Sequence, residues 1–249
     1  MGRDIFDYAE QYLKAPFLKE NVEYRRKCVI EQMNKFYHKK ILEIGCGMFP
    51  LFQYLEGEYD EYYIVEPSEV FVENAKNIAN EFSGRGKVHV YEGFFEEQKC
   101  LKNKEFDFIV CSSLLHEVTD ESNFLFVLKD IAKEATVIHI NVPNALSLHR
   151  LIAKEMGLIQ DIHELSATNT TLQQREVYDI QSLSKKVEQA GFEILSAGSY
   201  FIKPFTHKQM DEMIEREIIN QQVLDGLWGL TKYFPEYGSE IYVNIKKKK

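Results

Sequence analysis

Two periods of apolar and polar positions succeed one another along the chain. Asp4–Leu13 and Phe17–Tyr37 carry helix-like spacing. They are separated by Pro16, which lacks a backbone donor and biases Ala15 away from helical angles. From residue 40 short apolar runs take over. Lys40–Ile44 ends in Gly45-Cys46-Gly47 and predicts a buried strand entering a tight turn. Pro50 sits where a first helical turn is expected to begin. Tyr62–Val65, Lys87–Tyr91, Phe106–Cys111 and Thr136–Val142 predict four further strands. The nearly unbroken apolar character of Phe106–Cys111 suits a strand covered on both faces. Ser68 is placed to cap a helix Glu69–Phe82 with Val70, Phe71, Ala75, Ile78 and Ala79 on one face. Asn123–Ala132 reads as a second helix of this kind.

Strand and helix therefore alternate, which is the mark of a doubly wound sheet. Past Pro143 the alternation is interrupted by a helix Leu146–Met156 and a polar loop Gln160–Arg175. It resumes with helix Ile180–Ala190, stopped by Gly191, and strand Phe192–Leu195. A helical segment Thr206–Tyr233 containing Trp228 precedes a last strand, Glu240–Ile245. The expected class is α/β: a Rossmann-like doubly wound, mostly parallel seven-stranded sheet with an N-terminal helical arm and helical cap inserts. The arm is expected over residues 1–38 and the main domain over 39–249, with inserts at about 143–178 and 203–238. Additions of this kind shape the crevice at strand C-terminal ends.

Composition narrows the options. Thirty Lys and Arg against 39 Asp and Glu give a net charge of −9, which opposes a surface built to wrap nucleic acid. Lys246–Lys249 is the only basic run and reads as a solvated tail. Four cysteines, Cys28, Cys46, Cys100 and Cys111, form no CxxC or Cys/His spacing, so neither a metal site nor a disulfide framework is expected. Met1–Glu10 lacks the apolar core of a signal peptide. No stretch approaches the ~18 apolar residues of a membrane span. A cytoplasmic protein without nucleic-acid or membrane partners is expected.

The chemistry concentrates in Ile41-Leu-Glu-Ile-Gly-Cys-Gly47. A strand, a glycine turn and a following helical start bring backbone N–H groups close to a ligand. Glu66 ends the second strand about 20 residues on, where a carboxylate accepts both ribose hydroxyls of a nucleoside. Glu43-Ile-Gly45-Cys-Gly47 resembles the first motif of class I S-adenosylmethionine-dependent methyltransferases, and Val65-Glu66-Pro67-Ser68 the second. Tyr91-Glu-Gly93-Phe94-Phe95 resembles the third, and Phe106–Ser113 with Leu114-Leu-His-Glu117 the fourth. Phe49 stands where the family has a third glycine. A dinucleotide fingerprint would place a small residue at position 50, where this chain has Pro50.

The resemblance implies S-adenosylmethionine as cofactor. Gly45, Cys46 and Gly47 would line its methionine and ribose side, and Glu43 would lie near its amino group. Glu66, Pro67 and Ser68 would meet the ribose, and Gly93, Phe94 and Phe95 the adenine. Cys111 and Ser112 would face the crevice. His116, just past the fourth strand, is expected as the catalytic base, its neutral imidazole taking a proton from the acceptor. Tyr8 and Tyr12 share one helix face. Tyr12 would close over the cofactor, and Tyr8, Asn144, His149, Arg150 and Arg175 would bind substrate, the arginines by gripping a carboxylate or phosphate. The segments Val142–Arg150, Arg175–Tyr178 and Gln189–Phe192 are similar to bacterial small-molecule methyltransferases of quinone and surface-polysaccharide pathways. A polar small-molecule acceptor is expected, with O-methylation favoured by the resemblance. N-methylation and a non-catalytic adenosylmethionine-binding module are the alternatives.

Overall fold

The computed structural model describes residues 3–55, 58–82 and 86–248. The arm comprises α1 (Ile5–Leu13) and α2 (Leu18–Met33). The Asp4 side chain caps α1 by accepting from Asp7 N–H, and Phe17 at φ 57° turns the chain after Pro16. There follow β1 (Lys40–Ile44), β2 (Glu61–Glu66), α3 (Glu69–Glu81), β3 (Lys87–Glu92), β4 (Phe108–Ser112), α4 (Glu121–Ile131) and β5 (Val137–Pro143). Then come α5 (Leu148–Glu155), α6 (Ala167–Thr171), α7 (Ile180–Gln189), β6 (Phe192–Tyr200), α8 (His207–Glu215), α9 (Gln221–Gly229) and β7 (Glu240–Lys247).

The seven strands form one sheet in the order β3-β2-β1-β4-β5-β7-β6. The first five are mutually parallel, and β7 runs antiparallel to both β5 and β6. Order reverses between β1 and β4, so a crevice opens beyond their C-terminal ends. Alternation along β1 sends Leu42 and Ile44 into one buried cluster, shared with α4 and α7. Ile41 enters the cluster on the opposite face, under α2 and α3. A third cluster joins the arm to β6, α8 and α9 through Phe17, Tyr24, Phe201, Met210 and Leu224.

Three local expectations change. The chain after β1 forms only one 3-10 turn, Leu51–Tyr54, because Pro50 remains extended at ψ 136°. The Ser68 hydroxyl makes no capping bond to α3. Strand β6 continues past Leu195 to Tyr200, since a bulge between Ile194 and Ser196 breaks the two-residue alternation that marks a strand in sequence. The inserts carry α5, α6, α8 and α9, with α6 lying inside the expected polar loop.

Gly238 packs directly against β6. A Cβ there would lie 2.5 Å from both Tyr200 N and Tyr200 O. Gly238→Ala is expected to lower stability by about 1–3 kcal/mol through overpacking, read from the urea midpoint.

Candidate functional site

A cavity of about 560 Å³ opens at the C-terminal ends of the parallel strands, within the range of small-molecule sites. Gly45, Cys46, Gly47, Glu66, Pro67, Ser112, Tyr8 and Tyr12 line it, as do Asn144, His149 and Arg150. The sheet order sets its two ends. The β1 turn and β2 lie to one side of β4. The segments around β5, β7 and β6 lie to the other.

At the first end, Gly45 and Gly47 adopt φ 75° and 58°, and a Cβ on Gly47 would lie 3.5 Å from the Tyr12 hydroxyl. Glu66 accepts from Gly47 N–H at 3.1 Å and from Ser68 N–H at 3.0 Å. Burial nevertheless pushes its carboxyl up to about 7, against those two bonds. The carboxylate thus lies in a dry wall with acceptor capacity to spare, which fits the two hydroxyls of a ribose. Ser112 Oγ is buried nearby without a hydrogen-bond partner.

Three arginines of the arm meet three buried glutamates. Arg26 Nη1 lies 3.1 Å from Glu43 Oε1, while its Nη2 donates to Cys46 O and Phe49 O and clamps the glycine turn. Arg3 pairs with Glu117 and lies 3.7 Å over the Tyr8 ring. Arg25 grips Glu240 through Nε at 3.1 Å and Nη2 at 2.6 Å. Asn141 Nδ2 donates to Glu240 Oε2 at 2.8 Å, and the Tyr200 hydroxyl donates to the same oxygen. Burial alone would raise the Glu240 carboxyl. The Arg25 charge and these donors outweigh it and hold the group at about 2.

Several expected residues lie elsewhere. Glu43 is fully buried beneath the turn, where Arg26, Leu51 N–H and the Tyr62 hydroxyl satisfy it, so it does not face a ligand. His116 is 1% exposed and absent from the cavity wall, with both ring nitrogens lacking hydrogen-bond partners. Burial pushes it down to about 3, which makes the neutral ring a weak base, and its place behind the cavity wall keeps it from the expected role. The tight turn Leu115–Glu117 directs His116 inward and leaves Glu117 to line the cavity.

Phe95 is buried against Phe124, and Phe94 is 42% exposed. Neither they nor Gly93 line the cavity; Gly93 N–H instead donates to Glu66 O. Cys111 is fully buried in the sheet, and burial pushes its thiol up. Ser68 reaches the site only through its backbone N–H. Arg175 is outside the cavity wall. Arg150 lines the cavity, but its guanidinium is engaged by Ile162 O and Glu164 O. Asn144 is spent on Glu236 O, Gly238 O and Leu146 N–H.

Lining residues that sequence reasoning missed are Arg3, Arg25, Arg26, Lys203, His207, Ser239 and Glu240. The partners of Arg3, Arg25 and Glu240 lie far along the chain, so no local spacing marks them. Among the described residues, no His, Cys, Asp and Glu group is arranged for a metal, and no helix is long and apolar enough to cross a membrane.

A family model described as a methyltransferase domain matches residues 17–197. A SAM-dependent methyltransferase from Thermotoga maritima is 18% identical with a TM-score of 0.61, covering 98% of this chain and 99% of that one. A SAM-dependent methyltransferase from Aquifex aeolicus is 17% identical with a TM-score of 0.54, covering 86% and 87%. A cyclopropane synthase from Mycobacterium tuberculosis is 17% identical with a TM-score of 0.55, covering 86% and 81%. At these identities the likeness is one of fold. No curated protein sequence matches this chain significantly.

Arg25→Met is expected to destabilise the protein by about 3–5 kcal/mol, because Glu240 is left buried and unpaired. Glu240 titrates in the fold at about 2 against an ordinary 4.5. Its contribution is full above about pH 4.5 and lost as pH falls towards about 2. Urea unfolding across that interval should show this acid loss in the wild type and a smaller one in Glu240→Gln.

Proposed function

This chain belongs to the methyltransferase family whose model spans residues 17–197, and we propose that it transfers the methyl group of S-adenosylmethionine to a polar small molecule bound in the same cavity. The observation that carries this reading is the buried Glu66 carboxylate beside the Gly45–Gly47 turn at the strand-order switch. Glu66 accepts from the ribose hydroxyls. The glycine turn, held by Arg26, lets the backbone approach the nucleoside closely. Tyr12 closes over this end, with its ring 5.6 Å from Phe71.

S-adenosylmethionine, held by Glu66 and the Gly45–Gly47 turn, would supply a methyl group already activated on a sulfonium, with the S–CH3 bond electrons staying on sulfur and the acceptor giving up its proton. The protein's task is therefore alignment of the acceptor with that bond at about 3 Å. The arm and the two inserts enclose the reactants by contributing Arg3, Tyr8, His149 and Lys203 to the wall.

An oxygen acceptor suits this wall better than an amine. The wall carboxylates Glu117 and Glu240 are each paired with an arginine, so neither is free to hold a cationic ammonium acceptor. We therefore favour O-methylation, and a hydroxyl of a surface-polysaccharide precursor is an acceptor of that class.

Glu66→Ala is expected to weaken adenosylmethionine binding at least about tenfold, through lost hydrogen bonds to a charged acceptor. Unchanged affinity by calorimetry would overturn the cofactor assignment. Ribose donors favour the ionised carboxylate, whose apo value is about 7. Wild-type affinity should thus fall as pH drops below about 7, with proton release on binding above background, and Glu66→Gln should flatten that dependence.

A further inference from the structure

We propose that Lys203 recognises an acidic group, a carboxylate or a phosphate, carried by the methyl acceptor. The inference rests on the methyltransferase reading of the cavity and specifies what its inner end selects.

Lys203 is 3% exposed and lines the cavity. Among the described residues it has neither a carboxylate within ion-pair distance nor a hydrogen bond to Nζ. The nearby acid is not available to it. Glu240 Oε1 is taken by Arg25 Nε and Nη2, and Oε2 by Arg25 Nε, Asn141 and Tyr200. Of the two arginines expected to serve acceptors, Arg150 is turned onto backbone carbonyls and Arg175 lies outside the cavity wall. A buried ammonium without a partner is unstable, so an anion entering the cavity supplies what the fold withholds.

The backbone around Lys203 is built firmly. Phe201, at φ 56°, stacks on Tyr24 at 4.4 Å, and its carbonyl accepts from Ser239 N–H. The Lys203 carbonyl accepts from His149 N–H at the start of α5. Two further donors face the same space. His149 Nδ1 and Ser239 Oγ are both buried without partners, and both residues line the cavity. His207, at the start of α8, completes this end, its ring stacked 6.0 Å from Phe17.

Burial pushes the Lys203 amine down to about 7, Glu240 opposing and Arg25 adding to the shift. Burial also holds His149 and His207 low, with Lys203 adding to both and Arg150 acting on His149. With Arg25 already neutralised by Glu240, proton uptake on anion binding falls chiefly to Lys203. An arriving anion restores the ammonium, so binding above about pH 7 takes up a proton.

The test uses the full chain saturated with S-adenosylhomocysteine and titrated calorimetrically at about pH 8. Inorganic phosphate and acetate form separate arms, with sodium chloride as the ionic-strength control, in two buffers of different ionisation enthalpy. We expect saturable binding of at least one of the two, with proton uptake. The arm that binds more tightly identifies the acidic group. Lys203→Met should weaken it at least about tenfold, as expected for loss of a charge-assisted bond, and abolish the uptake, with S-adenosylhomocysteine affinity unchanged. If neither anion binds, if Lys203→Met binds them as the wild type does, or if no proton is taken up, the inference is overturned. Should Lys203→Met lose adenosylhomocysteine binding, wild-type Lys203 decides the matter: phosphate or acetate protects it from fluorodinitrobenzene, as read by mass spectrometry, and absence of protection by both is refutation. Failure of the wild type to bind adenosylhomocysteine at all would instead overturn the methyltransferase reading.

Discussion

Three buried arginine–glutamate pairs hold the cavity together. Each runs from the N-terminal arm to a different part of the sheet: Arg26 to Glu43 on β1, Arg3 to Glu117 past β4, and Arg25 to Glu240 on β7. Pairs of this sort are poor sources of net stability, because desolvation opposes the attraction between the charges. Their strength is in geometry. A slipped arm would strand a glutamate in a dry interior, so few alternative dockings of α1 and α2 survive. The arm's position in turn makes the glycine turn a rigid cradle and the cavity a closed one.

This pairing also sorts the electrostatics. With Glu43, Glu117 and Glu240 each neutralised, two titratable groups stand out along the wall. Glu66 is a carboxylate short of donors, and Lys203 is an amine short of acceptors. They belong to opposite ends of the sheet order, β2 and the segment after β6. The cavity is accordingly polarised, with the carboxylate of Glu66 at one end and the amine of Lys203 at the other.

The sequence-legible parts are those whose determinants lie close together. The strand, turn and carboxylate at Ile41–Gly47 and Glu66 were readable from spacing alone, and so was the alternation that builds the sheet. Glu43 and Cys111 lie within β1 and β4 and are buried there, whereas His116, Phe94 and Phe95 follow a strand end, where the next turn decides direction. His116 and Glu117 are neighbours, yet the tight turn they share buries one and exposes the other to the cavity. Phe94 and Phe95 divide between solvent and core for the same reason. Arg25 and Lys203 were invisible because their meaning depends on contacts made far along the chain. No pattern marks a lysine as unpaired until the arginines around it have been matched.

The Arg25–Glu240 pair spans 215 residues, and that span bears on biosynthesis. A ribosome adding about 5–20 residues per second delivers the acid roughly 10–40 s after the base. Until then the arm lacks its anchor on β7, and β6, once made, lacks the neighbour that joins it to β5. The sheet therefore stays open between β5 and β6 until β7 has been made. β7 is the strand that closes this seam, and it also carries Glu240 to the arm.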